Sequence, residues 1–168
     1  MLLHTVGYVI QSKRLQELVS VPESATVQQA AEIMSGKQVG AVVIPNRDGR
    51  VEGIFTERDL MRRVVTEGRD PKTTRVSEVM SHIVHHVPST TSVEEALRLM
   101  VMHGYRHLLV MDDTEVQGLI SMRDLMHWFI MPDTPMAHEG RYGHIVARTQ
   151  EAIRTIQEMK SGERPLKP

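Results

Sequence analysis

The 168-residue sequence contains no cysteine. Disulfides, thiolate catalysis and cysteine-based zinc sites are therefore excluded. Aromatic side chains are scarce, with one tryptophan, three tyrosines and two phenylalanines, while twelve methionines point to an adaptable core. Neither sign of charge prevails: 20 Lys and Arg stand against 21 Asp and Glu, for a formal charge of -1. That balance gives no footprint for nucleic acid or an anionic membrane surface. No apolar run approaches the roughly 18 residues that span a bilayer, and the first residues lack a signal peptide's basic start and apolar middle, so the expectation is a cytoplasmic protein. What is present is 40% hydrophobic, enough for one or two domains with a core of ordinary size.

One stretch occurs twice. Gly53-Ile54-Phe55-Thr56-Glu57-Arg58-Asp59 and Gly118-Leu119-Ile120-Ser121-Met122-Arg123-Asp124 share a pattern: glycine, two apolar residues, a hydroxyl, any residue, arginine, aspartate. Each copy follows a short apolar run and precedes a helical pattern, so it sits where a strand turns into a helix. Unpaired backbone N–H groups and the helix dipole make such a junction attractive to anions. The hydroxyl adds a donor, whereas the ionised aspartate only accepts. A ligand offering phosphate to the donors and vicinal hydroxyls to the carboxylate suits both, and a ribonucleotide does that. A single copy reads first as a helix cap, because [ST]-x-x-D is a common helix-start signature. Duplication with the same glycine and arginine favours the ligand reading.

Residues 1–14 are a short apolar segment, read as a strand or an arm laid on the body. A first repeat covers 15–70. An apolar run ends in Val21-Pro22, Val27 to Met34 has helical spacing with Ser24 or Thr26 as cap, and Gly36 is expected to close that helix. Val39 to Ile44 reads as a buried strand, Asn46-Arg47-Asp48-Gly49 as a hairpin turn, Val51 to Phe55 as the returning strand, and 57–66 as a helix. A second repeat over 71–131 restates this order at an offset of 66 before the hairpin and 65 after it, because its turn is one residue shorter. Internal duplication at this period predicts two α/β units, each ordered strand, helix, strand, hairpin, strand, helix. Residues 132–168 have no counterpart; Ile145, Thr149, Ala152, Ile153, Ile156 and Met159 trace one face of an expected helix.

The paired G-h-h-[ST]-x-R-D segments, the apolar runs before Pro22 and Pro88, the Asp48-Gly49 hairpin and Tyr105-Arg106-His107-Leu108-Leu109-Val110 resemble the cystathionine-β-synthase (CBS) domain family in its tandem arrangement, over roughly 15–131. The resemblance implies an α/β (α+β) fold of two β-α-β-β-α repeats related by a pseudo-twofold axis, with adenosine-containing ligands bound between them. Carried onto this sequence, it implies one site from Thr56 and Asp59 with Arg106, His107 and Arg123, and with Ile83, Val84 and Tyr105 near the base. The mirror site takes Ser121 and Asp124 with Arg58, Leu18, Val39, Gly40 and Ala41. Gly40 and Ala41 stand where the first site has Arg106 and His107, so the mirror site is expected to be weaker, empty or suited to a less charged ligand. AMP, ADP or ATP, with or without magnesium, is the expected ligand; S-adenosylmethionine or NAD(H) are alternatives. His107 is expected to make occupancy pH-sensitive near 6.5. The resemblance further implies a regulatory homodimer acting on an unidentified protein, not an enzyme. The alternative is a structural adaptor with empty clefts.

Nine histidines invite a metal reading. His85 and His86, adjacent on an expected strand, point to opposite faces, so a site combining them with His82 is not expected. Gly104 is expected to end a helix between His103 and His107. Trp128 and Phe129 are expected in a dimer core. No arrangement marks a nucleophile or a general acid or base.

Overall fold

The apolar run Ala41-Val42-Val43-Ile44 is rich in β-branched residues that suit a buried strand. In the computed structural model, which describes residues 5–13, 18–82 and 84–130, it forms β1 (Ala41–Pro45), all but its last residue buried. β1 pairs antiparallel with β2 (Val51–Thr56). The connection is built on Asn46, whose Oδ1 accepts Asp48 N and Arg50 N at 3.0 Å each, and Gly49 supplies the positive φ of 78° that the turn requires. A parallel bridge from Ser20 to Val43 places the run before Pro22 on the other side of β1.

The second repeat repeats the plan. β3 (His86–Val87) lies parallel to β4 (His107–Asp112), which pairs antiparallel with β5 (Glu115–Ser121). Pro45 faces Val51 across the first hairpin and Met111 faces Val116 across the second, so the second connection is one residue shorter, as expected.

Helix α1 spans Val6–Ser12, where a strand or arm was expected. α2 (Val27–Lys37) begins at a reciprocal cap between Thr26 and Gln29 and buries Val27, Ala30 and Met34. It runs past Gly36 and ends at Gln38, a non-glycine residue in the left-handed conformation (φ 55°). The expected stop at Gly36 is thereby corrected: glycine is tolerated inside a helix whose apolar face is already committed to a core. α3 (Glu57–Asp59) continues as a π-helical segment, Leu60–Val65, and α4 spans Val76–Val79. α5 (Val93–His103) is capped by Ser92 and ends at Gly104, as expected. α6 spans Met122–Ile130.

There is one core per repeat, and each is completed by the segment leading into the other. Val76, Val79 and Met80, which open the second repeat in sequence, pack among Val42, Ile44 and Phe55 of the first. Val6, Val9 and Ile10, which precede the first repeat, pack among Leu108, Val110 and Ile120 of the second. The backbone repeats the exchange: Val76 N donates to Ala25 O at 2.9 Å and Val6 N to Thr91 O at 2.8 Å. Fully burying a valine or isoleucine is worth about 1.5–3 kcal/mol, so each trio is a substantial part of the core it enters. Trp128, expected in a dimer core, is 4% exposed within the second core, its ring edge-on to Tyr8 at 5.2 Å. The expected C-terminal helix lies outside the described residues, as do Ile83, the start of the first repeat at Leu15 and the side chain of Phe129. Among the described residues no helix is long and apolar enough to cross a membrane.

Candidate functional site

Both motif copies adopt one geometry. Thr56 N donates to Asp59 Oδ2 at 3.0 Å and Asp59 N to Thr56 Oγ1 at 3.2 Å. Ser121 N donates to Asp124 Oδ2 at 2.8 Å and Asp124 N to Ser121 Oγ at 3.2 Å. Hydroxyl and carboxylate thus satisfy helix-start donors, and both aspartates are 8% exposed. The motif glycines have a packing reason. A Cβ on Gly53 would meet the Met80 side chain, with Cγ 3.0 Å away, and one on Gly118 would meet Ile10 Cδ1 at 3.0 Å. Each glycine makes room for the exchanged segment.

A cleft of about 480 Å³ opens between the repeats, within the range of small-molecule sites. It brings together Thr56, Asp59, Val84, Tyr105, Arg106 and His107, all expected in the first site. Arg123 does not line it and is exposed. Arg58 and Gly40, expected in the mirror site, line this same cleft. The physical reason is the crossing of the repeats: Arg58 leaves α3 toward the second repeat and its Nη1 donates to Gly104 O at 3.2 Å. Ser121, Asp124, Leu18, Val39 and Ala41 do not line the cleft. Ala41 is buried opposite Thr56 in the β1–β2 ladder, and Val39 packs on the first core.

Several lining residues escaped sequence reasoning. Arg63 lies 3.6 Å from Asp59 Oδ1 and donates to Val79 O and Met80 O, bracing the exchanged segment. Its place four residues after Asp59 was a usable signal. Ser81 Oγ donates to Asp59 Oδ1 at 3.2 Å. His85 stacks on Tyr105 with ring centroids 3.8 Å apart, giving the cleft an aromatic wall. Lys13, from the N-terminal segment, reaches Asp124 Oδ2 at 2.8 Å; a contact across that sequence distance leaves no local signal.

The cleft is cationic and partly apolar. Arg58, Arg63 and Arg106 face Glu57 and Asp59, over Ile54, Met80, Leu109 and Leu119. Burial pushes the His107 imidazole down from 6.5 to about 4; Asp124 opposes the shift, and Lys13, Arg106 and Arg58 add to it. The expected titration near 6.5 is corrected accordingly: burial leaves His107 neutral at physiological pH, so it brings no charge to the cleft. Among the described residues no group of three or more His, Asp or Glu is placed to hold a metal ion.

Comparison with known proteins gives the geometry its context. The CBS domain family model matches residues 13–66 and 76–130. A CBS domain-containing protein of Arabidopsis thaliana, CBSCBSPB3, is 31% identical over 131 residues, which is 78% of this chain and 24% of the relative. The chain thus spans about a quarter of that relative's length. The Bacillus subtilis protein YhcV is 34% identical over 109 residues, 65% of this chain and 76% of the relative. Among solved structures, a CBS-domain protein of Burkholderia ambifaria superposes with a TM-score of 0.72 at 34% identity, covering 80% of this chain and 98% of that one. A CBS domain protein of Pyrobaculum aerophilum, solved in complex with AMP, superposes with a TM-score of 0.63 at 28% identity, covering 71% and 88%.

Proposed function

Because this chain belongs to the CBS domain family, we propose that it is a regulatory module that binds AMP, ADP or ATP in the cleft between its repeats and signals by a change of repeat angle or of dimer geometry. The observation that carries this reading is the juxtaposition of Asp59 and Thr56 with Arg58, Arg63 and Arg106 around one cleft of about 480 Å³. A carboxylate suits ribose hydroxyls, and guanidinium groups suit phosphate in charge-assisted contacts about twice as strong as neutral ones. Tyr105 and His85 offer an aromatic face and Val84 an apolar one to a base. The AMP held by the Pyrobaculum relative supports the ligand class. Three arginines disfavour the cationic sulfonium of S-adenosylmethionine.

Calorimetric titration with AMP, ATP, NADH and S-adenosylmethionine tests the reading. The expected result is binding of an adenine nucleotide that Asp59→Ala abolishes and that Arg106→Ala weakens about tenfold, the equivalent of about 1.4 kcal/mol. No heat with any adenine nucleotide from the folded protein would sink the reading and leave an adaptor with empty clefts.

A further inference from the structure

The two motif aspartates occupy equivalent places, yet different groups stand beside them. In the first half, Ser81 N donates to Ile54 O at 2.9 Å while Ser81 Oγ donates to Asp59 Oδ1 at 3.2 Å. In the second half, Lys13 Nζ reaches both the matching carbonyl and the matching carboxylate, donating to Leu119 O at 2.9 Å and to Asp124 Oδ2, the oxygen that also accepts Ser121 N, at 2.8 Å. Serine and lysine each follow one of the exchanged segments, so they reach their carboxylates by the same route. A hydroxyl is short and neutral. It adds no charge beside Asp59, which the Arg63 guanidinium approaches at 3.6 Å, and Thr56, Asp59, Arg63 and Ser81 all line the cleft. An ammonium group hydrogen-bonds Asp124 directly and brings a full opposite charge to it. Ser121 and Asp124 do not line the cleft, and the Asp124 side chain, 11% exposed, is as buried as that of Asp59 at 12%.

We propose that Lys13 is a resident occupant of the second ribose position, limiting the module to one nucleotide per chain. Its ammonium holds the Asp124 carboxylate at 2.8 Å with a full charge, so a neutral ribose hydroxyl is the weaker competitor for that group. The inference rests on the adenine-nucleotide reading of the cleft. It assigns the inequality of the two halves to the N-terminal segment, in addition to Gly40 and Ala41 standing in place of Arg106 and His107.

The test is the number of AMP molecules bound per chain, from calorimetry or equilibrium dialysis on the full chain. The comparison covers wild type, Lys13→Ala, Lys13→Met and Lys13→Ala combined with Asp124→Ala, each checked for fold by circular dichroism. The methionine variant keeps the apolar stem should alanine disturb packing. Wild type is expected to bind one AMP, either lysine variant two, and the double variant one. Two AMP in wild type, or one in both folded lysine variants, overturns the role of Lys13 and leaves the reading of the cleft intact. No binding in wild type but one in Lys13→Ala upholds Lys13 and overturns the cleft. No AMP on any folded variant overturns both.

Discussion

His107 shows how position rewrites a residue's chemistry. In water an imidazole takes a proton below about 6.5, whereas in the fold it stays neutral down to about 4. Between those values the unfolded chain binds more protons than the folded one, so stability rises with pH across the window and is indifferent to this group above it. Over the whole window the contribution is on the order of 3 kcal/mol. Urea denaturation at pH 7 and pH 4.5 is expected to show wild type losing more stability on acidification than His107→Gln; equal losses would mean that His107 titrates normally. A phosphate bound beside it favours its charged form, so nucleotide is expected to raise the His107 pKa when followed by NMR. Gly53 is the second residue whose neighbours decide its role. Gly53→Ala drives Met80 from its place and is expected to cost about 1–2 kcal/mol. Adding Met80→Ala to it is expected to cost less than the two single changes together, because each relieves the other's strain.

At the scale of elements, the exchange of α1 and α4 is the organising fact. Val6 and Val9 are fully buried in a core whose members other than Ile10 lie more than 70 residues away. Val9→Ala is accordingly expected to destabilise by about 1–3 kcal/mol, with amide protection lost first in β4 and β5 and retained in β1 and β2. Uniform loss in both sheets would show that the two cores melt as one. These elements also mark how far the sequence could be read. The hairpin at Asn46 and the stop at Gly104 were legible, and Thr26 was one of the two caps offered for α2, because each is settled by side chains within four residues. The end of α2 at Gln38 and the helix over Val6–Ser12 were not, because packing against a distant core decides them.

At the scale of the whole molecule, the large apolar side chains left exposed among the described residues lie on helices. Met61 and Val65 on the segment after α3 are 56% and 68% exposed, and Val101 and Met102 on α5 are 72% and 64% exposed. Met61 and Val65 stand four residues apart on one helical segment, and the homodimer of the proposed function would bury side chains of this kind. Sedimentation is expected to find a dimer in wild type and a monomer in Met61→Glu combined with Val65→Glu; an unchanged dimer would exclude this face. The sequence by itself determined the duplication, the strand-to-helix junctions with their reciprocal caps, and the residue types suited to ribose and phosphate, because all of these depend on contacts within a few residues. Only the tertiary structure decided that Arg58 shares the cleft with Arg106 while Arg123 does not, that His107 is uncharged, and that Lys13 rather than solvent faces Asp124. Those outcomes depend on how two repeats cross and on which segment each lends the other, and burial and charge at that crossing are properties of the assembled fold alone.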